Sequence, residues 1–132
     1  MSMRVYLEDT DAGGIVYHAS YLRFMERART EWLRASGIGL DDWQTRQRVL
    51  FVVRSIAVDY LGPARLDDRL DVSVNMLAAR RASLTCEQIV QRGEDRLTRA
   101  SVQLACIDAD SASSGRARPV AIPPAIREAM TA

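Results

Sequence analysis

One long amphipathic helix constrains the fold of this chain more than any other feature. From Tyr21 onward, apolar side chains recur at spacings of three and four residues, which places them on one face of a helix. They are Leu22, Met25, Ala28, Trp32 and Ala35. Ser20 is placed to cap the start of this helix, and Gly37 to end it in a left-handed conformation. The sequence therefore predicts a helix over residues 20–36 whose apolar face must be buried by other elements.

Alternating apolar and polar residues predict strands in most of the remaining chain. The predicted strands are 3–7, 50–60, 69–79, 83–92 and 97–108. Residues 109–118 read as a mobile loop, a short helix is expected from Pro124 to Met130, and Asp41 and Asp42 can cap a helical piece through Trp43 and Arg46. Consecutive strands joined by short turns are typical of an antiparallel sheet. The chain is therefore expected to form one α+β domain over residues 1–132 with about five strands.

The inward faces of three strands can be named from this alternation. Leu70, Val72, Val74 and Met76 share one face, Leu84, Cys86 and Val90 the next, and Ala100, Val102, Leu104 and Cys106 the last. Residues 50–60 differ, because they are apolar on both faces at one end. That pattern suits a strand that covers a helix and also meets a partner chain.

Composition excludes several classes of function. The net charge is only +1, with 27% charged residues, which gives no hint of a nucleic-acid or membrane-surface partner. No apolar run approaches the roughly 20 residues of a membrane span, and the first residues lack the apolar core of a secretory signal. Cys86 and Cys106 lie in predicted strands, where free thiols in a reducing cytoplasm are expected. With a single histidine and no cysteine pair at zinc spacing, no metal site is expected.

The loop before the helix combines groups that can act on a carbonyl. Asp9 and Asp11 precede Gly13-Gly14, and His18 lies at the helix start. A helix start carries unsatisfied N–H groups, so the backbone of Tyr17 and His18 can receive an oxyanion, with the Asp11 carboxylate as the attacking or activating group. The same residue types also serve as turn formers and surface caps. On the residues alone, both interpretations stay open.

This loop and the following helix resemble a known signature. Glu8-Asp9-Thr10-Asp11-Ala12-Gly13-Gly14-Ile15-Val16-Tyr17-His18, with Tyr21-Leu22 and Glu26-Arg27-Ala28-Arg29-Thr30, is similar to the signature of the hotdog-fold acyl-CoA thioesterases. The nearest branch is the YbgC-type, Tol–Pal-associated one, related to 4-hydroxybenzoyl-CoA thioesterase. The likeness continues through residues 51–55, 59–61, 63–68 and 80–84, and so covers nearly the whole chain.

The resemblance implies a fold and an activity. It implies a sheet wrapped around one long central helix, and hydrolysis of short- to medium-chain or aromatic acyl-CoA thioesters without a cofactor, because coenzyme A is part of the substrate. Asp11 and His18 would be the functional pair. Asp11 would attack through a mixed anhydride or act as general base for water, and His18 would orient water, hold Asp11 or supply a proton.

The resemblance also implies partners. Family members pair so that Asp11 of one chain faces the strand 51–60 of another, which predicts a cytoplasmic homodimer or homotetramer with its site at the subunit interface. Candidate substrate-binding residues are Val53, Arg54, Ser55, Arg80 and Arg81, and Arg116 and Arg118 are further candidates for the coenzyme A phosphates. An acyl carrier protein is a possible partner.

Two positions and two other functions qualify this expectation. Leu7 stands where this branch commonly carries a tyrosine, and Glu26 is either a catalytic helix glutamate or, as favoured here, an ion-pair partner of Arg23 or Arg29. The alternative function is a non-catalytic hotdog module that binds acyl-CoA or acyl carrier protein within an envelope or lipid-synthesis complex. The presence of both Asp11 and His18 argues against it. A hotdog dehydratase is a third possibility, but the run from Asp11 to His18 does not resemble the signature of that class.

Overall fold

The computed structural model describes residues 1–35 and 45–131. Helix α1 spans Ser20–Ala35 and α2 spans Pro124–Thr131. The strands are β1 (Ser2–Arg4), β2 (Val49–Tyr60), β3 (Arg69–Val72), β4 (Asn75–Ala79), β5 (Ser83–Arg92) and β6 (Asp95–Asp108). Short 3-10 helices cover Leu7–Asp9 and Ala109–Ser113. Within these ranges, no helix is both long and apolar enough to cross a membrane.

The strands form an antiparallel sheet. Its order is β1-β3-β5-β6-β2, and β4 pairs with β5 beside this path. In β1 and β3, Ser2 lies opposite Asp71, and in β3 and β5, Val72 lies opposite Val90, both pairs antiparallel. An antiparallel sheet combined with helices confirms the predicted α+β class.

The strand predicted over residues 69–79 is interrupted. Ser73 lies between β3 and β4, and its hydroxyl accepts the Ile89 N–H at 3.1 Å, while the Ser73 N–H donates to the Ile89 carbonyl at 3.0 Å. A side-chain oxygen therefore takes a place that a backbone carbonyl would hold in a continuous ladder. The described residues consequently contain a six-stranded sheet instead of about five strands.

The chain divides into two compact units, each described here by itself. The first contains Met1–Glu31, Ala57–Asn75 and Glu87–Ser101, and the second contains Trp32–Ile56, Met76–Cys86 and Val102–Ala132. The expectation of one domain over residues 1–132 stays a prediction.

The buried face of α1 is rotated from the predicted one. Met25 and Ala28 are buried as expected, but Leu22 is exposed, and so is Ala35 at the helix end. Tyr21 and Phe24 are buried in the place of Leu22. The stripe 21-24-25-28 has the same helical spacing, and it buries two large rings, which removes more apolar area from water than the predicted stripe would.

A polar group lies in the core of the first unit. Gln88 of β5 is fully buried; its side chain donates to the Met25 carbonyl of α1 at 3.0 Å and accepts from Arg29 at 2.8 Å. Arg29 is itself only 9% exposed. These hydrogen bonds offset the cost of burying polar groups and tie α1 to β5 in one register.

The second unit has an apolar core built from alternating strand residues and the terminal helix. Its buried residues include Leu84, Cys86, Val102, Leu104, Cys106, Ile126 and Met130. The predicted inward faces of β5 and β6 are thus confirmed, as are two free, buried cysteines. Burial raises the pKa of the Cys106 thiol to about 11.

Several boundaries differ from the prediction. The first strand ends at Arg4, because residues 7–9 turn into a 3-10 helix. The segment expected as a mobile loop begins with a 3-10 helix in which the Ser111 hydroxyl donates to the Asp108 carbonyl at 2.7 Å. The predicted helix end at Ser36 and Gly37 and most of the helical piece predicted from Asp41 lie outside the described residues.

Candidate active site

Asp11 lies in a tight turn that the glycine pair makes possible. Its backbone N–H donates to the Ile15 carbonyl at 2.9 Å, and its carbonyl accepts the Gly14 N–H at 3.1 Å. The Gly13 N–H donates to Asp11 Oδ1 at 2.8 Å. Gly14 has a φ of 80°, a left-handed conformation that glycine adopts without strain. The chain therefore reverses here, and the reversal holds one oxygen of the carboxylate.

The other oxygen of Asp11 is available. The side chain is exposed, and Oδ2 has no hydrogen-bond partner in the part of the chain that the structure describes. The turn-forming and catalytic interpretations of Asp11 are therefore compatible, because one oxygen anchors the carboxylate and the second points away from that anchor.

Asp9 has a different environment and a structural role. Its side chain is 4% exposed, and Oδ1 lies 3.0 Å from the Arg23 guanidinium. Oδ2 accepts the Tyr6 N–H at 2.9 Å, and the backbone carbonyl accepts the Ser20 hydroxyl at 3.1 Å. Asp9 thus joins the loop to the first turn of α1.

The donors at the helix start are shifted by one residue from the prediction. The Tyr17 N–H, expected to receive an oxyanion, donates to the Asp9 carbonyl at 2.9 Å and is not available. The N–H groups of His18 and Ala19 have no hydrogen-bond partner among residues 1–35 and 45–131. Ser20 is not the predicted N-cap, since its hydroxyl donates to the Asp9 carbonyl and accepts from the Arg23 side chain, and no backbone N–H of the described residues donates to it. The unsatisfied donors are therefore those of His18 and Ala19.

His18 is exposed and contacts two aromatic rings. Its ring centroid lies 4.5 Å from that of Tyr17 and 6.3 Å from that of Tyr60, the latter in an edge-on arrangement. The Tyr60 hydroxyl donates to the His18 carbonyl at 2.9 Å. Sequence reasoning missed Tyr60, because nothing in the alternation of β2 indicates a contact with a loop 42 residues earlier in the chain.

A cleft of about 430 Å³ brings several of these residues together. Its lining residues are Glu8, Thr10, Asp11, Tyr17, Ala19, Ser20 and Arg23. It therefore contains the Asp11 carboxylate and the first residues of α1, but the His18 side chain is not among the groups described as lining it. Charged groups of both signs face this cleft, since Arg23 stands beside Glu8 and Asp11.

The remaining predicted substrate-binding residues lie in the second unit. Arg54 and Arg80 line a cavity of about 270 Å³ together with Ser83, Leu84, Thr85 and Gln103. Val53, Ser55 and Arg81 are not in its described lining; the Ser55 hydroxyl donates to Gln103 at 2.9 Å, and Val53 is 48% exposed. Of the five predicted residues, Arg54 and Arg80 thus share a cavity in the part of the chain that the structure describes.

The ion pair predicted for Glu26 is wrong, whereas Arg118 does form an ion pair. Glu26 is exposed and, as far as the chain is described, forms no ion pair with Arg23 or Arg29, because those arginines pair with Asp9 and Gln88. Arg118 forms an ion pair with Asp108 at 3.0 Å. No group of three His, Cys, Asp or Glu side chains that could hold a metal ion occurs within the described ranges.

Known proteins resemble this chain over nearly its whole length. Residues 5–130 match the thioesterase-like superfamily. An acyl-CoA thioesterase YbgC from Haemophilus influenzae is 42% identical over 96% of this chain and 90% of its own length. An acyl-CoA thioester hydrolase YbgC from Escherichia coli is 47% identical over 80% of this chain and 79% of its own.

A solved structure agrees with these sequence matches. The crystal structure of a probable thioesterase from Bartonella henselae superposes with a TM-score of 0.79 at 33% identity, covering 93% of this chain and 96% of that one. Sequence and fold thus point to the same relatives, and the chain belongs to the thioesterase-like superfamily and, within it, to the YbgC-type acyl-CoA thioesterases.

Proposed function

We propose that this chain hydrolyses the thioester bond of acyl-CoA, with Asp11 supplying the oxygen nucleophile. The proposal is based on the position of the Asp11 carboxylate in the same cleft as the start of α1. The Asp11 carboxylate is anchored by Oδ1 and offers Oδ2 in the same cleft as the start of α1. Two neighbouring backbone N–H groups, those of His18 and Ala19, have no partner in the described chain. A carboxylate beside such donors suits attack on a carbonyl and stabilisation of the resulting oxyanion.

The chemistry of a thioester fits this set of groups. The leaving thiol has an ordinary pKa of about 8.5, so its thiolate departs without strong acid catalysis. Hydrolysis then requires delivery of oxygen and stabilisation of the oxyanion, which is worth about 3–4 kcal/mol per donor in well-studied enzymes. His18 lies beside the donors and can orient water or supply a proton. The reaction as proposed needs no metal and no cofactor, because coenzyme A belongs to the substrate.

Asp11 can deliver oxygen by two routes. It attacks the carbonyl itself and forms a mixed anhydride, or it takes a proton from the attacking water. Turnover in H₂¹⁸O followed by mass spectrometry of the protein tests for the anhydride route, because solvent oxygen enters the Asp11 carboxylate only when water attacks the Asp11 carbonyl carbon of such an anhydride.

We propose that the chain adopts the hotdog fold, with α1 as the central helix and the sheet wrapped around it. The buried stripe of α1 and the hydrogen bonds from Gln88 of β5 to Met25 and Arg29 support this arrangement. A helix enclosed by a sheet must bury its apolar side, and the burial of Tyr21, Phe24, Met25 and Ala28 along one side of α1 is consistent with this proposal.

For the coenzyme A phosphates, we propose the cavity lined by Arg54 and Arg80. Guanidinium groups bind phosphate oxygens by paired, charge-assisted hydrogen bonds. The backbone of Arg80 is held on both sides, since its N–H donates to the Ser83 carbonyl at 2.8 Å and its carbonyl accepts from Arg127. Arg81 stays a weaker candidate.

The quaternary structure proposed is a homodimer or homotetramer in the cytoplasm, with residues 51–60 of one chain facing Asp11 of another. Support comes from β2, which ends the strand order and exposes Val52 and Val53 by 36% and 48%. Exposed apolar edge strands are surfaces that proteins normally cover. Sedimentation velocity on wild type and Val53→Lys tests this, and an unchanged oligomer in the variant would count against it. Association with the Tol–Pal system and with acyl carrier protein stays a proposal of the family resemblance.

Thiol release from a panel of acyl-CoAs tests the activity. The panel should contain short, medium and aromatic acyl groups, each also offered as an acyl-carrier-protein ester. Turnover by the wild type supports the proposed function and identifies the acyl preference. Saturable binding without turnover on any ester would contradict it and favour the non-catalytic binding module.

A further inference from the structure

We propose that Tyr60 is a positioning residue for thioester hydrolysis, because its hydroxyl fixes the peptide group that presents the Ala19 N–H to the oxyanion. The inference rests on the proposed function and adds to it a residue from β2, distant in sequence from the Asp11 loop.

The geometry of Tyr60 supports this role. It is the last residue of β2, and its hydroxyl donates to the His18 carbonyl at 2.9 Å. Its ring lies edge-on to the His18 ring at 6.3 Å and tilted to the buried Tyr21 ring at 5.7 Å. Tyr21 is fixed in turn, since its hydroxyl accepts the Ala64 N–H at 3.0 Å. The Tyr60 hydroxyl therefore approaches the helix start from an anchored aromatic cluster.

The hydrogen bond from Tyr60 acts on the peptide group that joins His18 to Ala19. The carbonyl of His18 and the N–H of Ala19 belong to one planar peptide unit, so a donor fixed at the oxygen also fixes the direction of the N–H. Hydrogen bonding at the carbonyl polarises the unit and makes its N–H a stronger donor. This peptide precedes the first residue of α1, and the Ala19 N–H has no partner of its own in the described chain.

Tyr60 would therefore act through the backbone and not by touching the substrate's reacting atoms. Preorganised donors stabilise an oxyanion because they need no reorientation as the charge develops. Removing the Tyr60 hydroxyl leaves Asp11 and its turn unchanged, since no hydrogen bond joins Tyr60 to residues 9–16 in the described chain. The expected defect lies in the chemical step and not in substrate binding.

The test compares Tyr60→Phe with the wild type and with Tyr6→Phe. Tyr6 is an exposed tyrosine whose hydroxyl has no partner among the described residues, and it does not line the cleft. In Tyr60→Phe, we expect kcat on a good acyl-CoA to fall by about 2- to 12-fold, the factor that one ordinary hydrogen bond corresponds to, with KM within about twofold. Tyr6→Phe should keep the wild-type kcat.

A second measurement separates positioning from general support of the structure. An S-alkyl-CoA lacks the thioester carbonyl, so it should bind the wild type and Tyr60→Phe equally, and the thermal midpoint of the variant should stay near that of the wild type. A parallel loss of kcat, S-alkyl-CoA affinity and thermal midpoint would overturn the inference, because it would indicate a structural role.

The activities of the wild type and of Tyr60→Phe together distinguish an error in the role of Tyr60 from an error in the proposed function. If the wild type hydrolyses acyl-CoA and Tyr60→Phe does so at the same kcat, the role of Tyr60 is wrong and the proposed function stands. If the wild type hydrolyses no thioester, the proposed function fails, and the role of Tyr60 falls with it.

Discussion

Asp9 and Asp11 are separated by one residue and have opposite environments. Asp9 is buried and hydrogen-bonded through both carboxylate oxygens, whereas Asp11 is exposed and hydrogen-bonded through one. A carboxylate that acts on substrate needs an unoccupied oxygen, which only Asp11 offers. Asp9 instead fixes the loop against α1 and so determines where Asp11 lies.

Replacement of Arg23 tests the structural role of Asp9. Arg23→Met should lower the free energy of unfolding by about 1–3 kcal/mol, because it leaves a buried carboxylate without its charged partner. The loss should be smaller than for a fully buried pair, because the Arg23 side chain is 47% exposed and solvent screens its charge. Urea unfolding measures the change. Arg27→Met, at an exposed position one turn further along α1, should stay within about 0.5 kcal/mol of the wild type.

The free energy of unfolding should depend on pH in acidic solution, because the pKa of Asp68 is lowered in the folded protein. Burial alone would raise the pKa of its carboxyl, but hydrogen bonds from the Arg65 N–H at 2.8 Å and the Arg92 guanidinium at 2.7 Å outweigh it and lower the pKa. The folded state therefore binds this proton less readily than the unfolded state. The contribution to stability is complete at neutral pH, and it is lost as the pH falls below the ordinary carboxyl value of about 3.9 through the lower folded value.

Urea unfolding between pH 7 and pH 2.5 checks this dependence. Asp68→Asn should be less stable than the wild type at pH 7, and the difference should shrink in acid. Asp71→Asn, at an exposed position of β3 with no ion pair in the described chain, should follow the wild type throughout. A constant difference between Asp68→Asn and the wild type at all pH values would contradict the prediction.

At the scale of elements, α1 and β5 are held in register by polar groups as well as by apolar ones. Gln88 occupies an inward position in the same alternation as Leu84, Cys86 and Val90, so its burial follows from the pattern of β5. Its partners on α1 do not, because they lie about 60 residues earlier in the chain.

Gln88→Leu tests this connection. Leucine fits an apolar core, but it removes the donor to the Met25 carbonyl and one acceptor of the buried Arg29, so the free energy of unfolding should fall by about 2–4 kcal/mol. Gln91→Leu makes the same change on the same strand, where the side chain donates to the nearby Gly93 carbonyl and to no other group of residues 1–35 and 45–131. It should cost less than about 1 kcal/mol, and equal losses in the two variants would contradict the role of Gln88.

The elements that sequence predicts well are those set by local alternation. β5 matches its predicted bounds, and the buried faces of β5 and β6 are the predicted ones, because each inward residue is determined by its neighbours two positions away. The break at Ser73 was not predictable in this way, since it depends on hydrogen bonds to Ile89 of another strand. The rotation of the α1 stripe toward Tyr21 and Phe24 likewise reflects which side the rest of the unit covers.

The candidate site likewise has features that the sequence predicts and features that it does not. Asp11 and the helix start were identified from residue types and from the family resemblance, because both lie within one short stretch of sequence. The occupied Tyr17 N–H and the contact from Tyr60 were missed, since each depends on a partner that only the folded backbone supplies. Of the predicted arginines, Arg54 and Arg80 line a common cavity of the described residues.

At the scale of the whole molecule, the two cysteines report on the integrity of the fold. Cys86 and Cys106 are at most 1% exposed, and burial raises the pKa of Cys106 to about 11. A buried, protonated thiol is a poor nucleophile. A thiol reagent at pH 8 should therefore find almost no reactive thiol in the native protein and two in the protein unfolded in urea. Rapid reaction of the native protein would contradict the described core.

Asp11 is proposed to deliver oxygen to the thioester, and this role is tested most directly by kcat for Asp11→Asn beside Glu26→Gln. Asparagine keeps the shape and the acceptor for the Gly13 N–H but removes the charge. We expect kcat to fall by about 10³-fold or more in Asp11→Asn, with substrate still bound, because the nucleophile or base is lost. Glu26→Gln, at an exposed carboxylate outside the cleft, should keep the wild-type rate. Retention of activity in Asp11→Asn, or a comparable loss in Glu26→Gln, would contradict the assignment of Asp11.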